Sequence, residues 1–139
     1  MKKIYSILFA FLFPGLISVS AQNVQWASEV ISFSSQFAPR QYSADQILGK
    51  PNVLPNLGAS PNAWTPKRKR GEAFIKLGFA QPMTVKQLAI AETLNPGSIK
   101  AIYAYDEKGK EYILHEFEPK SIPIEGRLFR FFMDPTPYK

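Results

Sequence analysis

Downstream of position 22, apolar residues recur at every second position in short runs, not at the three-to-four spacing of a helix. In 29–37, EVISFSSQF, Ile31 and Phe33 fall on one face and Ser32 and Ser34 on the other. Residues 73–80 put Ile75, Leu77 and Phe79 together, with Lys76 and Gly78 opposite. In 84–92, Leu88 and Ile90 share a face, and Lys86 marks where burial begins. IKAIYAYD (99–106) and EYILHEFE (111–118) form a hairpin, and RLFRFFM (127–133) forms a further strand. Period-two runs of β-branched and aromatic residues predict six strands of an antiparallel β domain.

The breaks between runs agree with this pattern. Residues 106–110, DEKGK, place Gly109 where a hairpin loop needs a left-handed residue. Asn95-Pro96-Gly97 offers a preset φ followed by a glycine free to take positive φ, as a type II turn requires. Pro82 cannot donate to a ladder and bounds a strand. One short helix is expected, with Ser43 as cap, Gln46 reaching back and Gly49 stopping it. Short strands with turn signals about every ten residues predict a β-sandwich or barrel. Six strands followed by DPTPYK leave an open apolar edge, so the last strand is expected to be missing.

The first 21 residues have the three parts of a secretory signal. Lys2 and Lys3 start it, Ile4–Val19 form the apolar stretch, and Val19-Ser20-Ala21 is a small-residue cleavage site. At about 16 residues the stretch is short for a span, which needs roughly 20. Cleavage after Ala21 is expected, with an uncleaved anchor as the alternative. Residues 22–139 then form one domain, with no transmembrane span after cleavage and a location in the periplasm, outer membrane or cell surface. There is no cysteine, so neither disulfides nor a lipid-modified N-terminal cysteine contributes.

Charge sharpens the picture at one place. The chain has 17 basic and 11 acidic residues. Two of the basic ones precede position 22 and four are Lys67, Arg68, Lys69 and Arg70, which leaves 11 against 11. All the excess of the exported part lies in the segment 49–71, GKPNVLPNLGASPNAWTPKRKRG. Its 23 residues include four prolines, three glycines and one large indole, Trp64. A connection of that length without secondary structure is usually functional or disordered.

The motifs Leu48-Gly49-Lys50-Pro51-Asn52, Ala63-Trp64-Thr65-Pro66 and Glu92-Thr93-Leu94-Asn95-Pro96-Gly97 resemble the discoidin-like, galactose-binding-like jelly-roll domain. The closest pattern is the version at the N-terminus of outer membrane protein A family proteins of Bacteroidetes-type bacteria. The resemblance runs from about Gln25 to the end. It implies an eight-stranded β-sandwich whose loops at one end bind glycans, surface polymers or partner proteins. Two features of that pattern are missing: the closing strand and a following peptidoglycan-binding domain. The expectation is a truncated product or fragment.

Candidate ligand contacts are Asn62, Trp64, Lys67, Arg68, Lys69, Arg70, Glu92 and Asn95. Trp64 is either a lid over the sandwich end or an aromatic platform for a sugar face. The basic run is either a solvated tip or a site for acidic glycans and envelope phosphates. Glu92 either accepts amide bonds from its turn or faces a ligand. With no interleaved aromatic and no recognition helix, nucleic acid is not an expected partner. Calcium is signalled weakly, by Asp45, Asn52 and carbonyls alone, against the six to eight oxygens it takes. No other cofactor or metal is expected, because His115 is the single histidine and cysteine is absent. Paired carboxylates could be drawn from Glu111, Glu116 and Glu118, but Glu116 and Glu118 share one exposed strand face, so no enzyme is expected. The reading is a non-catalytic cell-envelope binding or anchoring module for a glycan or anionic polymer. The alternative is a purely structural domain that docks another envelope protein domain.

Overall fold

The computed structural model describes residues 23–68, 70–124 and 126–139. The signal-sequence reading of 1–21, and Lys69, lie outside the described residues. The strands are β1 (Glu29–Phe33), β2 (Ile75–Gly78), β3 (Gln87–Glu92), β4 (Ala101–Tyr105), β5 (Glu111–Glu116) and β6 (Arg127–Phe132). They pair antiparallel in three two-stranded sheets, β1 with β2, β3 with β6 and β4 with β5. The fold is all-β. Where the resemblance implied eight strands, six are found among the described residues.

The β4–β5 hairpin closes through Asp106–Lys110, with Gly109 at φ +79°. The Asp106 carboxylate fixes this loop by accepting the amides of Lys108 and Lys110, each at 2.9 Å, and the Tyr112 hydroxyl at 3.0 Å. A register shift between Ile102 and Tyr103 leaves Leu114 unpaired on β5. β1 carries a bulge of its own between Val30 and Ser32. That bulge corrects the expected grouping of Ile31 with Phe33. Ile31 Cδ1 lies 3.6 Å from where a Cβ on Gly78 would sit, on the Lys76 side of β2. Phe33 pairs with Ile75 on the other side. One inserted residue flips the side-chain alternation, and period-two counting cannot see it.

The expected short helix is a 3-10 turn, Ala44–Ile47. The capping box does not form. The Ser43 hydroxyl and the Gln46 side-chain amide both donate to the Arg40 carbonyl, each at 3.0 Å. The free amide of Ala44 is taken by the Gln36 side-chain oxygen at 3.0 Å. A tertiary contact thus replaces the local cap.

Packing is aromatic. Phe117 meets Phe129 and Phe131 edge-on at 5.6 and 5.7 Å, and the His115 ring lies 5.2 Å from Phe131. These contacts set β4–β5 against β3–β6 in a sandwich-like arrangement, with Ile102 buried beside them. β1–β2 is tied to β4 by the Lys76 ammonium 3.3 Å over the Tyr105 ring, and by the Lys100–Glu72 ion pair. The segment after β6 acts as a strap. Thr136 is buried and exchanges hydrogen bonds with Val85, while Tyr138 stacks on Tyr112 at 3.8 Å. No helix among the described residues is long and apolar enough to cross a membrane.

Candidate functional site

The proline-rich segment 49–71 has few internal hydrogen bonds, so its backbone groups need partners elsewhere. Residues 35–42 supply most of them. The Phe37 amide donates to the Thr65 carbonyl at 2.8 Å, and the Tyr42 amide to the Pro61 carbonyl at 2.9 Å. The Thr65 amide returns to the Tyr42 carbonyl at 3.2 Å. Tyr42 stands at φ +60°, a left-handed conformation that costs a tyrosine on the order of 1–3 kcal/mol. Its two backbone bonds to the loop and the Phe37 ring packed edge-on at 5.5 Å hold it there. Further along, Gly49 donates to Ala27 at 2.9 Å and Gly58 to Thr93 at 2.7 Å, and Val53 is buried. The loop is pinned along its length, not only at its ends.

Ser35 organises the tip. Its carbonyl accepts the Trp64 indole N–H at 3.0 Å, and its hydroxyl accepts the Lys67 amide at 3.1 Å. Trp64 is half-buried. Just beyond that anchor, Lys67, Arg68 and Arg70 are exposed, as is Asn62. The described ion pairs are Lys100–Glu72 and Arg127–Glu92, so none of the three tip residues has an acidic partner among the described residues. Glu72 is two positions from Arg70, yet its carboxylate is turned to Lys100, whose hydrogen bond holds it below the usual carboxylate range. The positive charge of the tip is therefore left for solvent or for a ligand.

Glu92 and Asn95 lie at the turn between β3 and β4, with no hydrogen bond or ion pair to the tip residues among the described residues. The Glu92 side chain is 9% exposed and fully engaged. One oxygen accepts the Gly97 amide at 3.0 Å, and the other accepts Arg127 Nε at 2.7 Å across the β3–β6 ladder. Asn95, at φ +52°, donates to the Ser98 hydroxyl and accepts the Ser121 hydroxyl at 2.7 Å. Gly97, Ile99, Phe117, Lys120, Ile122 and Phe129 line a pocket of about 160 Å³ beside this turn, into which Arg127 also faces. Of its charged lining residues, Glu118, Lys120 and Arg127, Arg127 is paired with Glu92.

Two aromatic residues that sequence reasoning missed complete the surroundings of the tip. Phe37 is 60% exposed and Phe74 is 58% exposed. The Phe37 amide binds Thr65, two residues before Lys67. Phe74 exchanges hydrogen bonds with Ser34, next to the Ser35 anchor. They lie 30 residues before Lys67 and four after Arg70, so the only available signal was the chance of a pairing between 34–37 and the loop. His115 packs on Phe117 at 4.4 Å. Asp45 and Asn52 are exposed, and no group of three or more metal-ligating side chains comes together among the described residues.

A family model described as Pappalysin-1, SD scarf domain, C-terminal, matches residues 18–121, which take in β1–β5 and the basic loop. No curated protein and no solved structure matches the chain. The match is to a small β-rich domain family, and nothing in it bears on the discoidin-like or outer membrane protein A resemblance.

Proposed function

The chain belongs to the Pappalysin-1 SD scarf domain, C-terminal, family, and from that premise we propose that it is a non-catalytic binding module of the cell envelope. Its ordered loop presents a basic tip to an anionic polymer such as an acidic glycan. The observation that carries this reading is the pairing of a fixed backbone with unmatched charge. Ser35 and the 37–42 segment hold the loop, while Lys67, Arg68 and Arg70 project without acidic partners among the described residues. A pre-ordered cationic loop loses little entropy when it binds, so most of its Coulomb attraction appears as affinity. Export, which the reading requires, rests on the sequence of residues 1–21.

The test is replacement of residues 67–70 by serine, with retention on immobilised heparin as the readout. The parent chain is expected to be retained at low salt and to elute as ionic strength brings the Debye length below about 10 Å. The four-serine variant is expected in the flow-through. Equal retention of the two would refute the reading.

A second reading, a structural domain that docks another envelope protein without any glycan, draws on Trp64. Its indole N–H is already bonded and its ring is half-buried, as befits a lid more than a sugar platform. Under that reading, the serine variant keeps its partner and only a Trp64 substitution releases it.

A further inference from the structure

We propose that the basic tip together with the exposed rings of Phe37 and Phe74 forms a site for the surface of an anionic lipid bilayer. This rests on the reading of the tip as an anion-binding element and names the source of the anions. Phe37 and Phe74 are 60% and 58% exposed although both have backbone bonds that fix their positions. Phe37 is held by Thr65, within the same turn of loop that carries Lys67, and Phe74 by Ser34, beside the residue that anchors Trp64 and Lys67. Exposed phenylalanine rings on segments bonded to, or adjoining, the loop with its unmatched cations give this region both apolar and cationic surface.

A soluble polyanion would satisfy the charges and leave the rings in water. The face of an acidic bilayer satisfies both. Its phosphates take the lysine and arginine heads, and its headgroup–acyl boundary takes the rings. Each basic residue near such a surface strengthens binding by about fivefold, and the effect dies away within a Debye length. The nearest described carboxylate along the chain, Glu72, is neutralised by Lys100 and does not oppose approach.

Sedimentation of the full chain with phosphatidylcholine vesicles, with and without phosphatidylglycerol, tests this. Heparin retention is run in parallel. The apolar stretch 4–19 is common to every variant, so only the phosphatidylglycerol-dependent part of binding is read. The parent is expected to show both that binding and heparin retention. A Phe37→Ser, Phe74→Ser double variant is expected to lose about tenfold or more of the vesicle binding and to keep heparin retention. Replacement of 67–70 by serine is expected to lose both. To guard against misfolding of the double variant, Phe37→Trp and Phe74→Trp keep the ring. Their fluorescence, above that of the parent, is expected to be quenched by brominated phosphatidylglycerol vesicles. Heparin retention without any lipid-dependent binding, full vesicle binding by the double variant, or absence of quenching each overturns the lipid assignment. Heparin retention that survives the four-serine replacement overturns the underlying anion reading instead.

Discussion

Gly97 shows what one atom costs where three segments meet. It lies at φ +89°, its amide is held by Glu92, and a Cβ there would stand 2.2 Å from the Lys120 carbonyl and 3.0 Å from Ile122 Cγ1. Substitution by alanine must strain the backbone and push the 120–122 segment off the turn. The expected loss is about 2–3 kcal/mol. Gly109 is the control, because it has a similar φ of +79° but open space around it. Gly109→Ala should cost about 1 kcal/mol, from the left-handed conformation alone. Urea unfolding of the two variants measures the difference, and equal midpoints would mean that the close approach at Gly97 is absent. The same residue-scale view separates two roles among the candidate contacts. Glu92 and Asn95 use their polar atoms within the turn, whereas Lys67, Arg68 and Arg70 leave theirs unmatched among the described residues.

At the scale of the elements, the β4–β5 hairpin is closed by a carboxylate. The Lys110 amide, helped by the Tyr112 hydroxyl and the Lys108 amide, keeps Asp106 below the usual carboxylate range. A carboxyl lowered in the folded state contributes stability above its unfolded value, near 3.9, and loses it as pH falls through the folded value. The parent should therefore melt above an Asp106→Asn variant at neutral pH, and the gap should close below about pH 4. A gap that persists in acid would mean that the charge is irrelevant to the loop. Element type was readable throughout, since all six strands arise on the short runs of alternating apolar residues. Their extents were not. The run 29–37 ends as a strand at Phe33: Ser34 still bonds Phe74, but Ser35 and Phe37 turn to the loop. The bulge at Ile31 and the strap through Thr136 and Tyr138 depend on partners more than 25 residues away. Local pattern contains no trace of them.

For the whole molecule, the balance of burial is unusual. Among the described residues, Ala44, Val53 and Ile102 are the buried apolar residues, while large ones such as Phe37, Leu57, Phe74 and Phe132 stay more than half exposed. Such surfaces mark sites of association when they are ordered. The charged half of the candidate site was legible, because four consecutive cations account for the entire excess charge of 22–139. Its aromatic half was not, because only the long-range pairing of 34–37 with 65–74 brings the rings there. The central claim is that this pairing makes the proline-rich segment a fixed platform and not a tether. Amide hydrogen exchange by NMR, read at Phe37, Tyr42, Thr65, Lys67 and the Trp64 indole N–H, tests it most directly. The account predicts protection at these five protons that approaches that of β3 and β6, and exchange at the rate of an unstructured chain would contradict it.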